Sequence, residues 1–265
     1  MIDISIIIVT YNSESYIGGL LDSIKKSPDK LKKEVIVIDN ASSDKSFEAA
    51  KKHSIKATVI ESGGNLGFSK AVNIGLKRAS GKYIMLLNPD SKIIGSGLRT
   101  LYDFAVKTKP LGAVAPRLLE SNGKPQPSVF HFPNITNAIL KYFFNKQNYY
   151  GKYLPDQTKK VDVAVMAAFL MPATTIKKVG LLSEKFFMYY EDIEYCKRLK
   201  KNKLPVFYLK DAKIKHVHGA SGKFKSHTES PLLKSARTYH GKVYSDVLNF
   251  ILLIGQKWQK IIKRK

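Results

Sequence analysis

Cysteine is almost missing from this 265-residue sequence, in which Cys196 stands alone. A disulfide framework and a cysteine-cluster metal site are thereby excluded, and a reducing compartment fits. Long apolar runs are missing too: none reaches the roughly 18 residues that would cross a bilayer as a helix. The opening Met-Ile-Asp-Ile-Ser has neither the basic stretch nor the small-residue cleavage site of a secretory leader. The expectation is a cytoplasmic protein made without translocation. Acidic residues are scarce, 21 against 45 lysines and arginines, for a formal charge of +24. Such an excess suits polyanionic partners (nucleic acid, anionic lipid, phosphorylated substrates) or simply a soluble lysine-rich surface. Two phosphate-binding signatures are absent as well. Gly63-Gly64-Asn65-Leu66-Gly67 does not spell G-x-G-x-x-G, and no Walker A sequence occurs, which argues against a nicotinamide enzyme and a P-loop nucleotidase.

What is present is a core-forming composition, 44% hydrophobic, in an alternating pattern. Apolar, β-branched runs at 4–9, 35–38, 57–60 and 83–87 read as buried strands. Helices are expected over about 15–26, up to His53, over 68–79 and over 191–201. Prolines at 110, 116, 125, 127, 133 and 155 break the pattern between about 110 and 160, where irregular strands and an insertion are expected. Val206–Leu209 and Lys213–His218 read as two further strands. Strands alternating with helices predict an α/β fold with a mostly parallel central sheet and helices on both faces. In such sheets ligands bind at the carboxyl ends of the strands. Polar clusters stand at those ends: Thr10-Tyr11-Asn12, Asp39-Asn40 and Asn88-Pro89-Asp90.

Five segments resemble, in order, the inverting family 2 glycosyltransferases of GT-A fold. They are Val9-Thr10-Tyr11-Asn12, Val37-Ile38-Asp39-Asn40-Ala41-Ser42, Gly64-Asn65-Leu66-Gly67-Phe68, Leu87-Asn88-Pro89-Asp90 and Glu191-Asp192-Ile193-Glu194. The finer likeness, carried by Phe187 to Cys196, is to bacterial rhamnosyltransferases of O-antigen and cell-wall polysaccharide assembly. The resemblance implies a catalytic domain over residues 1–220, with a nucleotide-binding half (1–110) and an acceptor-binding half (111–220). It implies that Asp39 accepts the N3–H of a pyrimidine, the alternative being a helix-capping aspartate. Thr10 and Tyr11 would line the base pocket beside Asn12 and Asn40, since an aromatic face can stack on a base. Asn65 and Gly67 would bring backbone close to the nucleotide, Gly67 serving otherwise as a turn glycine. Asn88-Pro89-Asp90 occupies the place of the D-x-D metal motif with one carboxylate fewer. Asp90 would ligate Mn²⁺ or Mg²⁺, and Asn88 would contact ribose or a metal-bound water. His216 or His218 would complete the metal site, or both are structural. Asp192 would be the base that activates the acceptor hydroxyl, kept ionised by a helix N-terminus, and Glu191 would orient the acceptor. Ala167 in Val165-Met166-Ala167-Ala168-Phe169 stands where relatives usually carry glycine.

The implied donor is dTDP-rhamnose, with a UDP-hexose as runner-up, and the implied acceptor is a glycan or lipid-linked saccharide. Residues 221–265 form a basic C-terminal helical region. Within 243–265, Val247, Ile251, Ile254, Trp258, Ile261 and Ile262 follow helical spacing among lysines. That pattern reads as an anchor on an anionic membrane surface. The catalytic domain or a second copy of the chain, in a homodimer, are the other partners open to it. A non-catalytic GT-A scaffold and a nucleic-acid-binding protein are the readings from other classes. No RNP, helix-turn-helix or zinc signature supports nucleic acid.

Overall fold

The computed structural model describes residues 1–217 and 230–262. In chain order, β1 (Ile4–Thr10), α1 (Glu14–Lys25), β2 (Lys33–Asp39), α2 (Ser46–Lys52), β3 (Thr58–Glu61), α3 (Phe68–Arg78) and β4 (Tyr83–Leu87) form the first half. There follow β5 (Ser91–Ile93), α4 (Gly97–Lys107), β6 (Ala113–Leu119), β7 (Pro125–Gln126), β8 (Val129–Phe130) and α5 (Ile135–Tyr142). The chain continues through β9 (Lys159–Val161), β10 (Val163–Ala164), β11 (Ala168–Pro172), α6 (Ala173–Val179), α7 (Glu191–Lys201) and β12 (Val206–His216). It closes with α8 (Pro231–His240) and α9 (Lys242–Ile262).

The main sheet runs in the order β3-β2-β1-β4-β11-β6-β12-β5. Six of these strands share one direction, and β11 and β5 run against them. Side chains alternate across β1. Ile4, Ile6 and Ile8 pack with α1 and α4, while Ile7 joins α3 and α7 on the opposite face. Packing rather than propensity holds α1. Gly18 and Gly19 cost about 1 kcal/mol each in a helix interior, but Ile17, Leu20, Leu21 and Ile24 are buried, contributing about 1.5–3 kcal/mol apiece.

Two expectations change. Val206–Leu209 and Lys213–His216 are one strand, because β6 pairs along both stretches with only a register shift between Leu209 and Lys213. The chain beyond the irregular stretch also supplies a strand, β11, which inserts antiparallel between β4 and β6.

The C-terminal helices lie against the domain. The α9 face carrying Ser245, Leu248 and Gly255 is buried, with Gly255 directly over the Tyr142 ring of α5. The opposite face exposes Val243, Val247, Phe250, Ile254, Trp258 and Ile261. Ile251 is half-buried, so the outward stripe is rotated from the expected one and includes Phe250. Among the described residues, no helix is long and apolar enough to cross a membrane.

Candidate active site

The carboxyl ends of β1, β2 and β4 open onto a cavity of about 270 Å³. Tyr11, Asn40, Asn65, Gly67, Asn88 and Asp90 line it from the first half of the chain, with Glu191, Asp192 and His216 on the remaining walls. Residues more than a hundred positions apart thus share one cleft, and strand pairing is the cause. β12 runs antiparallel to β5 with His216 opposite Ser91, and the Val217 N–H donates to the Asp90 carbonyl at 3.1 Å. That register sets His216 beside Asp90. On the other side, Ala168 of β11 pairs with Leu87 and the Asn88 N–H donates to the Ala167 carbonyl at 2.9 Å, which brings Ala167 to the cleft wall.

Asp90 is buried. Its Oδ1 accepts no hydrogen bond among the described residues, and His216 Nε2 stands 3.4 Å from it. Burial pushes the Asp90 carboxyl up to about 6. His216 Nδ1 lies 3.0 Å from Gln126 Oε1, and because an amide oxygen only accepts, this nitrogen carries the proton. In the neutral ring the Nε2 lone pair then faces Asp90 Oδ1 and Asn88 Nδ2, the latter at 3.5 Å. A buried carboxylate oxygen short of a donor, next to an oriented imidazole lone pair, is a donor set that fits a divalent cation. Among the described residues, no three of His, Cys, Asp and Glu gather into a cage, so further ligands would have to come from a bound molecule. His218 lies outside the described residues.

Glu191 and Asp192 begin α7. Burial raises both carboxyls, and their mutual proximity raises Glu191 further. The expectation is an Asp192 held ionised by the helix terminus; burial moves its carboxyl above the ordinary range. Burial outweighs the Ile193 N–H, which donates to Asp192 Oδ1 at 2.8 Å, and the charge of Lys152. Glu191 Oε2 is buried with no hydrogen-bond partner among the described residues.

The strap in front of α7 is tightly held. Tyr189 and Tyr190 both take left-handed backbone, φ 69° and 68°, which costs about 1–3 kcal/mol each for a side-chain-bearing residue. Three contacts impose it. Phe68 N–H donates to the Phe187 carbonyl at 2.8 Å, Ser235 Oγ donates to the Met188 carbonyl at 2.8 Å, and the Tyr190 ring packs on Tyr239 and His240. Gly67, at φ 79°, lies directly against Phe187, where a Cβ would sit 2.9 Å from the Phe187 Cα. Its close backbone approach is therefore to its own chain.

Hydrogen bonds tie the remaining expected residues into the loops at the strand ends. Asp39 accepts from Thr10 Oγ1 at 2.9 Å and from Ser42 Oγ at 2.6 Å and N–H at 3.0 Å. Asn12 Oδ1 accepts from the Ser43 N–H at 2.8 Å. Neither these two nor Thr10 is among the residues that line the cavity. Asn40 Nδ2 donates to Asn65 Oδ1 at 3.0 Å, and Asn40 Oδ1 accepts the Leu66 N–H at 2.9 Å, fixing the loop before Gly67. Sequence reasoning missed Lys152 and Gln126, which also line the cleft. Lys152 was one lysine among many. Gln126 carried a signal in its Pro-Gln-Pro setting, a polar residue with both neighbours locked. Three carboxylates, Asp90, Glu191 and Asp192, face a single lysine in this lining.

Residues 5–173 match the family described as Glycosyl transferase family 2. The chain is 30% identical over 208 residues to the low-salt glycan biosynthesis hexosyltransferase Agl10 of Haloferax volcanii, covering 77% of this chain and 64% of that one. It is 23% identical over 230 residues to the N-acetylglucosaminyl-diphospho-decaprenol L-rhamnosyltransferase of Mycobacterium tuberculosis, covering 80% of this chain and 75% of the relative. Among solved structures, S. aureus TarS 1–349 in complex with UDP superposes with a TM-score of 0.63 at 19% identity, over 95% of this chain and 70% of that one. The shared fold is that of the GT-A glycosyltransferases.

Proposed function

The chain belongs to glycosyl transferase family 2, and from that membership we propose that it moves a sugar from a nucleoside-diphosphate donor to an acceptor hydroxyl with inversion. The observation that carries this reading is the meeting of Asp90 and Asp192 in one cleft at the carboxyl edge of the sheet. The nucleotide half, residues 1–110, holds the donor. Tyr11 offers its ring to the base, Asp39 behind the wall keeps acceptor capacity for a pyrimidine N3–H, and Thr10, Asn12, Asn40 and Asn65 shape the loops around it.

Asp192 accepts the proton of the acceptor hydroxyl. The acceptor oxygen forms its bond to the anomeric carbon as the bond from that carbon to the diphosphate oxygen breaks, and the nucleoside diphosphate leaves. One displacement inverts the centre, and no covalent enzyme intermediate is needed. Glu191 orients the acceptor, and Lys152 supplies the one lysine charge at the cleft. Asp90 and His216, with Asn88 beside them, would hold Mn²⁺ or Mg²⁺. Such an ion, when bound, neutralises charge on the leaving diphosphate. The acidic lining supports this requirement, because a diphosphate entering between carboxylates needs positive charge that one lysine does not supply.

The L-rhamnosyltransferase among the relatives supports dTDP-rhamnose as the donor, and the hexosyltransferase supports a UDP-hexose as runner-up. The acceptor is a glycan or a saccharide on a lipid carrier. The exposed stripe of α9 and its lysines support work at the cytoplasmic, anionic face of a membrane, with a homodimer through the same stripe as the alternative. The test is transfer itself. A panel of dTDP- and UDP-sugars with Mn²⁺ identifies the donor by thermal shift. Asp192→Asn is then expected to bind that donor as the wild type does and to lose about 10²–10⁴-fold in turnover. Wild-type turnover in this variant removes Asp192 as the base.

A further inference from the structure

Tyr189 has no part in the chemistry above, yet it occupies the most constrained backbone beside the cleft. Glycine would take its left-handed conformation without strain, so a tyrosine there calls for a reason that lies in its side chain. Packing does not provide one. The neighbouring Tyr190 ring is buried against Tyr239 and His240. The Tyr189 ring is 47% exposed and stacks on no other ring among the described residues. It lines the cavity together with Met188, Glu191 and Asp192. The clamps on Phe187 and Met188 fix the strap from which the ring projects. The result is a flat, amphipathic ring on a clamped strap, three residues from the candidate base and part of the cleft lining.

We propose that Tyr189 is the acceptor subsite: its ring is the platform on which a pyranose ring of the acceptor stacks through its C–H face. Stacking there sets the hydroxyl to be glycosylated beside Asp192. This assignment rests on the glycosyl-transfer reading and sets an apolar acceptor contact beside the polar one from Glu191. The strap accounts for the strain as well. The left-handed turn at 189–190 aims the ring and the carboxylate pair into the same cleft, a direction that a relaxed extended approach to α7 would not provide.

The experiment uses the full chain, Mn²⁺, the donor identified by the donor panel, and methyl α- and β-pyranosides of the gluco, galacto, manno and N-acetylgluco series as acceptors. Tyr189→Phe is expected to keep the acceptor KM within about twofold of wild type. Tyr189→Ala and Tyr189→Gly are expected to raise it about tenfold or more, the order of one lost aromatic contact with its buried area, with the donor KM within about twofold. Thermal melting separates this from a structural role. Tyr189→Gly is expected to melt at or above the wild-type temperature, because glycine relieves the backbone strain. An unchanged acceptor KM in both truncations overturns the assignment, as does a rise in the donor KM alone or a wild-type protein that binds no pyranoside of the panel. Failure of the wild type to bind any nucleotide sugar sinks the glycosyl-transfer reading instead.

Discussion

Replacing Gly67 with alanine tests whether the strap and the loop that ends at Gly67 form one unit. The added Cβ would lie 2.7 Å from the Phe187 ring Cδ2 and 2.9 Å from the Phe187 Cα, with the Phe187 carbonyl oxygen in contact as well. A ring can rotate away, but the Cα and the carbonyl are backbone, and that carbonyl already accepts the Phe68 N–H at 2.8 Å. Alanine at φ 79° and ψ 172°, a region essentially reserved for glycine, adds a conformational cost of about 1–3 kcal/mol. Forcing the two segments apart adds about 1–3 kcal/mol, as for other overpacked sites. The total of about 2–6 kcal/mol corresponds to a fall in Tm of about 5–20 °C for a chain of this size. The strap leads into Glu191 and Asp192, so a displacement of about 1 Å is expected to cost on the order of 10²-fold in kcat. Scanning calorimetry measures the first effect and a transfer assay the second. Gly64→Ala is the control, since a Cβ there meets nothing within 4 Å, and it is expected to stay within about 0.5 kcal/mol of wild type. A Gly67→Ala protein that melts and turns over like Gly64→Ala would refute the coupling.

Four further outcomes rest on the same geometry. A base must be unprotonated to act, and burial holds the Asp192 carboxyl above its ordinary range, so kcat/KM is expected to fall on the acid side at a pH above that of a free aspartate. Lys152→Ala removes a charge that lowers Asp192 and should move this limb to higher pH; a limb that stays put or moves down contradicts the assignment. Gln126→Leu takes away the acceptor that fixes the His216 tautomer, and a loss of about 10–100-fold in Mn²⁺ affinity is expected, read by electron paramagnetic resonance with the nucleoside diphosphate present; unchanged affinity removes Gln126 as the residue that orients a His216 ligand. Phe250→Ser with Trp258→Ser cuts the exposed stripe of α9 at side chains 63% and 46% accessible. Sedimentation with phosphatidylglycerol vesicles should drop sharply at unchanged Tm, whereas intact vesicle binding, or a dimer that dissociates instead, rejects the membrane assignment.

The sequence made one half of this molecule readable and hid the other, for physical reasons. Parallel strands covered on both faces are continuous apolar runs, so β1, β2 and β4 and the polar residues at their carboxyl ends could be located directly. The start of α7 at Glu191 was equally legible, because acidic residues favour a first helical turn. Non-local register leaves no local trace. Nothing in residues 168–172 announces that β11 runs backwards between β4 and β6, and nothing in 206–216 tells that β5 pairs with the end of β12. Yet that pairing is what brings His216 to Asp90. The left-handed strap was hidden for a different reason. Tyrosine carries no signal for positive φ, and only the clamps on Phe187, Met188 and Tyr190 impose it. The shift of Asp192 escaped too, since a helix terminus can be read from sequence and the depth of burial around it cannot.

The scarcity of acidic residues acquires a meaning once their placement is known. The chain as a whole carries +24, but Asp90, Glu191 and Asp192 meet in a lining with Lys152 as its only lysine. The two fields have opposite signs and different reach. Surface lysines attract polyanions only within about 8–10 Å at physiological salt, enough to gather a nucleotide sugar or an anionic bilayer to the protein. They do not neutralise a diphosphate between buried carboxylates. Raised carboxyl pKa values discharge part of the lining, and a divalent ion on Asp90 and His216 would supply the rest. The bulk charge therefore speaks for encounter, and the inverted charge of the cleft speaks for the chemistry. A protein with the same lysine excess but a basic cleft would need no metal to hold its donor.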